Sequence, residues 1–577
     1  MTPTSRPLLL AMAAAAAAGP SLLAYNVSPS PTFLNQALAL ALWGGFAAVA
    51  AVATTPVARP ARHAARNAAW PLAAIGLLLA AVLWSWGPGA LPSGLALSAL
   101  GLLSAAAWLL LSGAAVRASA QAVPIFALFC SGWVVAGVLN AAIGALQVFA
   151  PNVPDGQWIA RSGLVGRAVG NLRQPNHLSS LLLWSAIAVI PLLELGRLRR
   201  GLGWALFALM TFAVVLTASR TGVLGVGLLA LWGLLDRRLS RPTRLLLILA
   251  PLGYALAWAG LSAWAEASRQ AFGGETRLAE ADLSGSRFGI WANTLELIRQ
   301  QPWTGVGFGE FNVAWTLTPL PGRPVAFFDH THNLPLQLAV ELGLPLAGLV
   351  LALLVAGLWR AWRLARQADA ATGVTLRSAW MMLVLIALHS QLEYPLWYAY
   401  FLLPTAWLFG YALGRPGAAV APRGAPTRVL FLGGVLLAIG SALSLVDYTR
   451  VALIFAPARD GNTLEQRIAS GQRSWLFSHH AGYAAVTVND DVAASDPAFK
   501  EAPHYLMDTR LMIAWAQALA RAGELDKARH LAQRLREFRN PQADEFFAAC
   551  DAPDGGTPPP FQCQPPDLAP HWRDYLR

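Results

Sequence analysis

Apolar runs of about 20 residues, enough to cross a bilayer, recur along almost the whole of this 577-residue chain, and they fix its solvent as lipid. Thirteen such runs lie near 7–25, 34–54, 70–87, 93–113, 122–149, 177–195, 202–218, 221–235, 244–262, 333–358, 378–393, 395–413 and 428–447. A polar knot, Ser219-Arg220-Thr221-Gly222, divides two of them. Backbone groups in hydrocarbon must be satisfied internally, so the spans are helices. The expected fold is an all-α polytopic membrane protein with about 12–13 transmembrane helices. Residues 1–447 form the transmembrane domain, which includes a long loop at 263–332. Residues 448–577 are hydrophilic and predict a helical C-terminal domain.

Arginine placement gives the orientation. Arg59, Arg62 and Arg66 follow span two, Arg117 span four, and Arg197, Arg199 and Arg200 span six. Arg237, Arg238, Arg241 and Arg244 follow span eight, Arg360, Arg363 and Arg366 span ten, and Arg415, Arg423 and Arg428 span twelve. Each even-to-odd connection is basic, so these loops are expected in the cytoplasm together with the N-terminus. The tail then lies outside, in the periplasm of a Gram-negative cell. The start, Arg6 and an Ala-rich run, looks like a signal peptide, but further apolar sequence follows, so it reads as an uncleaved first helix.

Composition agrees. Charged residues make up 12% and hydrophobic ones 56%, whereas a soluble domain is about a quarter charged. The formal charge of +12 sits in short interhelical clusters with no base-reading motif, so no nucleic-acid partner is expected. There is no P-loop and no G-x-S-x-G elbow, which removes support for nucleotide-driven transport and serine hydrolysis. Cys130 lies in an apolar run, whereas Cys550 and Cys563 lie in the tail and would pair if that tail is outside. The stretch LMIAWAQALARAGELDKARHLAQRLREF predicts a helical hairpin turning at Gly523.

Ionisable residues at membrane depth are expensive, and by default they mark function. On the predicted topology His177, Arg220, Arg287, His330, His332, His389 and Glu393 share the outer side. Arg220 reads as a planar fork for a phosphate-like anion, or as an interfacial Arg that snorkels. The rarity of lone outer arginines favours the fork. Arg161, Arg167 and Arg173 form an outer basic cluster that a diphosphate or an anionic lipid would neutralise. Arg287 reads equally as an anion ligand or a solvated loop residue. His332 opens span ten and reads as a general base; Asp329 could orient it, and Asn333 is the better helix cap. His330 and His332 lack an obvious third ligand, so no metal is expected. His389, Gln391 and Glu393 fall near the outer end of span eleven, where Glu393 could orient a basic partner, bind sugar hydroxyls or pair with an outer Arg. Beside them, Tyr394, Trp397, Tyr398 and Tyr400 read equally well as an aromatic belt.

Four segments together resemble the superfamily of O-antigen ligases, O-antigen polymerases and PglL-type protein O-oligosaccharyltransferases. They are GNLRQPNHLSSLL at 170–182, ASRTGVLG at 218–225, HTHNLPLQLAVELG at 330–343 and HSQLEYPLWYAYFLLP at 389–404. The QPNH and EYPLWYAYF runs and the long tail look most like the protein-glycosylating branch. The resemblance implies a GT-C-like lipid-linked glycan ligase fold in the bacterial inner membrane. It implies transfer of a glycan from undecaprenyl diphosphate to a Ser or Thr hydroxyl of a periplasmic or pilin-like protein. Neither ATP, cofactor nor metal is implied. His332 then corresponds to the catalytic base, and Arg220 and Arg287 to diphosphate clamps. Arg161, Arg167, Arg173, His177, Gln337, His389 and Glu393 are the remaining candidates for binding donor or sugar. Such chemistry inverts the anomeric carbon and loses activity on the acid side as the imidazole protonates. Two alternatives stay open: a ligase that joins glycan to lipid A-core, and a transporter or flippase for a lipid-linked or anionic solute. The latter predicts polar residues at the midplane and on both faces.

Overall fold

In the computed structural model the described residues are 5–54, 66, 68–275, 283–415, 425–457, 461–489, 491–550 and 559–576. Arg59, Arg62 and Arg423, used above for orientation, lie outside them. Every apolar run in the sequence is matched by helix, and no strand occurs among the described residues. Eight helices are long and apolar enough to span a membrane, nine if Arg241–Ile248 and Ala250–Ser268, bent by 40°, form one span. Arg200–Leu216, Arg220–Leu235 and Ala399–Leu413 are apolar but shorter.

Two compact units emerge. The first comprises residues 1–75, 102–281 and 352–445, and the second 76–101, 282–351 and 446–577. The sequence drew its boundary at 447/448. The structure groups most of the long loop, the first half of the helix that follows it and residues 76–101 with the tail instead.

In the first unit helices meet over aromatic rings and glycines. Phe126 stacks on Tyr411 and Phe129 on Trp407, each pair at 4.7 Å. A side chain on Gly410 would stand 1.8 Å from the Leu110 carbonyl oxygen, and one on Gly113 2.0 Å from that of Trp407. Small residues let these two backbones touch, the usual basis of helix association in lipid. At one end of the unit, Asp236 pairs with Arg377 at 2.6 Å and the Glu194 carboxylate accepts from Ser240 and Thr243. The Arg238 guanidinium donates to the Arg366 carbonyl there. Three of the arginine-rich connections, after Glu194, Leu235 and Gln367, thus meet at one end.

In the second unit, helix Leu334–Gln367 is broken at Gly343, whose φ of 77° only glycine adopts readily. The sequence predicted one continuous span here. Chain 302–307 lies along the break: the amides of Val306, Gly307 and Leu344 bond the carbonyls of Val340, Glu341 and Pro302 at 2.8–3.0 Å. Carbonyls that a break would orphan are thereby satisfied. Arg323, 4% exposed, holds loop to tail. It pairs with Glu537 at 3.0 Å, donates to the carbonyls of Trp315 and Thr318, and lies over the rings of Trp315 and Phe538. Glu310 meets His504 at 2.8 Å, and Phe327 stacks on Phe538 at 4.0 Å. Gly523, at φ 81°, turns the hairpin of Thr509–Arg521 and Leu525–Glu537. Cys550 and Cys563 form a disulfide.

The tail also buries His479 and His480, ring against ring at 4.3 Å, with Tyr505 on both. Burial pushes His480 down to about 3 and His479 well below the ordinary value. As pH falls below about 6.5 the unfolded chain takes up these protons and the folded chain does not. The unfolded state then binds more protons, so stability falls with falling pH. The melting temperature of the purified protein should drop between about pH 7 and pH 5. His480→Phe should flatten that slope.

Candidate active site

The first unit gathers the QPNH, SRTG and LEYP segments. Helix Pro175–Glu194 opens with Pro175 at its first turn, and the Gln174 side chain caps it by accepting from the amides of Asn176 and His177. Helix Arg220–Leu235 opens at Ser219, whose Oγ accepts from the Gly222 amide at 3.1 Å. Ala218 before it has φ 47°, a strained value for a residue with a Cβ. Arg220 is therefore the first residue of its helix. Its side chain is exposed and makes no hydrogen bond or ion pair among the described residues. The helix N-terminus adds positive potential beside a guanidinium that is fixed in charge.

Asn176 joins the segments. Its Nδ2 donates to Glu393 Oε1 at 2.9 Å, and Ser219 Oγ donates to its Oδ1 at 2.6 Å. His177 is buried against Tyr398, with Nδ1 3.0 Å from the Tyr400 hydroxyl. His389 is fully enclosed, with Nδ1 2.8 Å from Ser180 Oγ. Both imidazoles are thus committed to neighbouring hydroxyls. Arg220, Asn176, His389 and Glu393 stand at the ends of helices Pro175–Glu194, Arg220–Leu235 and Ala370–His389. Glu194 and Asp236 stand at the opposite ends of the first two helices, and Arg377, two turns into the third, pairs with Asp236 where the basic connections meet.

The outer arginines have different situations. Arg161 is exposed and donates to the Pro154 carbonyl at 3.1 Å. Arg167 is 8% exposed, and its guanidinium donates to the carbonyls of Thr217 and Ala218. It thereby braces the turn that leads into Arg220. Arg173, at φ 55°, donates to the carbonyls of Ala24 and Pro31. Buried amides hold this loop. Gln147 bonds Ala160, Val169 and Gly170 from within helix Ala122–Phe149, and Asn171 bonds Leu22, Trp158 and Ala160. Sequence reasoning passed over Gln147 and Asn176, although a Gln inside an apolar run is itself a signal.

The second unit gathers Arg287, His330, His332 and Gln337. Arg287 lies on helix Leu283–Gln300 one turn before Trp291, which shares its face. The Trp291 indole donates to the Thr331 carbonyl at 2.9 Å. The Thr331 amide donates to Gln337 Oε1 at 2.8 Å, and Gln337 Nε2 to Glu341 at 3.0 Å. Asn333 Oδ1 accepts from the Leu336 amide, so Asn333 caps the helix and leaves His332 out of that role. His332 has φ 54° and stands edge-on to Phe328 at 5.7 Å. Asp329 pairs with His330 at 2.9 Å. Desolvation alone would push the Asp329 carboxyl to a higher pKa, but the His330 ring prevails and holds it down at about 2. Among the described residues no group of three or more His, Cys, Asp or Glu could hold a metal ion.

Three family models match between them from 168 to 549. An O-antigen ligase model matches residues 205–351, the C-terminal part of a virulence-factor membrane-bound polymerase 378–549, and a protein glycosylation ligase 168–193. Each of the motifs above falls within one of them. A general O-oligosaccharyltransferase of Acinetobacter baylyi is 29% identical over 284 residues, covering 47% of this chain and 49% of that protein. A ComP-specific O-oligosaccharyltransferase of the same organism is 28% identical over 268 residues, covering 44% and 45%. The matched part of the chain spans about half the length of each of these relatives.

Proposed function

We propose that this chain, a membrane protein of the O-antigen ligase superfamily with a protein-glycosylation ligase segment, transfers a glycan from undecaprenyl diphosphate to a Ser or Thr hydroxyl of periplasmic proteins. The observation that carries the proposal is the exposed Arg220 at a helix N-terminus, set by a buried polar node at the helix ends opposite the arginine-rich connections. Positive-inside placement of those connections puts the Arg220 end outside, where a disulfide-bearing tail also belongs. In this reading the N-terminus is cytoplasmic and the tail periplasmic.

The reaction is a displacement. The acceptor hydroxyl attacks the anomeric carbon, the bond to the diphosphate breaks, and the configuration inverts. His332 takes the hydroxyl proton as the new bond forms. Arg220 and Arg287 stabilise the negative charge that grows on the departing lipid diphosphate, and they bind it more tightly in the transition state than in the ground state. The glycosyl–diphosphate bond supplies the driving force, so neither ATP nor metal is required. All three outer-loop arginines donate to backbone carbonyls, but Arg161 and Arg173 are exposed and open to the carrier, whereas Arg167 is buried. His177, His389 and Glu393 order the segments around Arg220 in the first unit, and Gln337 orders the turn that carries His332 in the second.

A second reading, transfer to lipid A-core, is favoured by the O-antigen ligase model over 205–351. One measurement separates the readings: intact masses of periplasmic proteins from cells with and without this gene product. Glycan-sized increments that depend on the gene support the proposal. Their absence, with gene-dependent glycosylated lipid A, selects the second reading.

A further inference from the structure

The geometry assigns Asn176 as a positioning residue for the proposed transfer: one carboxamide ties the Glu393 carboxylate to the Ser219 hydroxyl that caps the Arg220 helix. This inference rests on the function proposed above. Both ends of the amide are used. Nδ2 can only donate and Oδ1 can only accept, and their partners are a carboxylate and a hydroxyl at 2.9 and 2.6 Å. The orientation follows from the partners, because a flipped amide would turn its oxygen on the Glu393 carboxylate. Ser219 is 1% exposed and Glu393 6% exposed, so water cannot replace these bonds cheaply.

The consequence for Arg220 runs through backbone. Arg220 has no side-chain partner among the described residues, so its direction is set by the first turn of its helix. That turn is fixed by the Ser219 Oγ bond to the Gly222 amide. Ser179 Oγ, one turn along the Asn176 helix, lies 3.1 Å from the same Ser219 oxygen and 2.9 Å from the Asn176 carbonyl oxygen. Loss of the Asn176 bond frees the cap to turn and moves both Glu393 and Arg220. Displacement of a reacting group by about 1 Å can cost about 10²-fold in rate.

The test is a set of full-length variants assayed in proteoliposomes with lipid-linked glycan and a pilin-like acceptor: Asn176→Ala, Asn176→Asp, Glu393→Gln and Asn176→Asp with Glu393→Gln. Asn176→Ala should lower kcat by about 10–100-fold with a small change in the KM for acceptor. Asn176→Asp should be at least as poor, because two carboxylates then face each other. The double variant restores an amide–carboxylate pair with the charge on the other side, and it still offers Ser219 an acceptor. It should exceed both Asn176→Asp and Glu393→Gln in kcat. A purely structural role would move melting temperature and abundance while leaving the kcat of the folded fraction intact. That result, or a double variant no better than the poorer single, overturns the assignment. Parent protein without transfer rejects the function itself and the positioning role with it. The same four proteins then still report the Asn176–Glu393 contact as a double-mutant cycle in melting temperature.

Discussion

Arg220→Ala is expected to lower glycan transfer by about 10²–10³-fold, the usual loss when a preorganised stabiliser of developing charge is removed. Membrane abundance should stay at the parent level. The side chain is exposed and without a partner among the described residues, so its removal breaks no contact within the fold; such surface changes shift stability by about 0.5 kcal/mol or less. Arg220→Lys should also be poor. It keeps the charge but replaces a planar two-pronged donor with a point, which cannot hold two phosphate oxygens in fixed directions. The measurement is transfer in cells lacking the native gene, normalised to protein level by immunoblot. Full glycosylation by Arg220→Ala at parent abundance would show that the anion is held elsewhere.

The second large effect is at His332. Its replacement by alanine should cost about 10²–10⁴-fold, the range for loss of a positioned base. Here the backbone needs a control. His332 sits at φ 54°, a region that costs residues with a Cβ of order 1–3 kcal/mol. Asn tolerates that region best among the polar residues. His332→Asn should therefore keep the loop and its abundance while losing transfer. His330→Ala should lose far less, because that ring is engaged with Asp329. Wild-type rates from His332→Asn, with His330→Ala inactive, would move the base two residues upstream.

Much of this molecule was legible as hydropathy, and the exceptions have physical causes. The helices begin and end close to the expected runs because lipid rewards only unbroken apolar length. The knot at Ser219 was visible as three polar residues between apolar neighbours, and helix does stop at Leu216 and restart at Arg220. The break at Gly343 was not anticipated, since averaging over a span hides one residue. Yet Gly343-Leu344-Pro345 carries its signature, a glycine free to adopt φ 77° and a proline suited to the first turn of a new helix. The candidate histidines divide in a way sequence could not show. His177 and His389 lie in buried hydrogen bonds, while His332 sits on a loop before its helix cap. Asn176 was quoted within a motif but given no role. An amide's task depends on its partners, and these stand 43 and 217 residues away.

The union of residues 282–351 with the tail constrains any exchange of the tail between related chains. The guanidinium of Arg323 is shared between both segments, and Glu310, Asn312 and Phe327 find their counterparts in His504, Pro503 and Phe538. A chimera that imports only a foreign C-terminus would strand the buried Arg323 guanidinium without Glu537, at about 3–5 kcal/mol for a broken buried pair. Modular exchange between related chains therefore has to graft both segments as one cassette, with the histidine-bearing stretch travelling inside it.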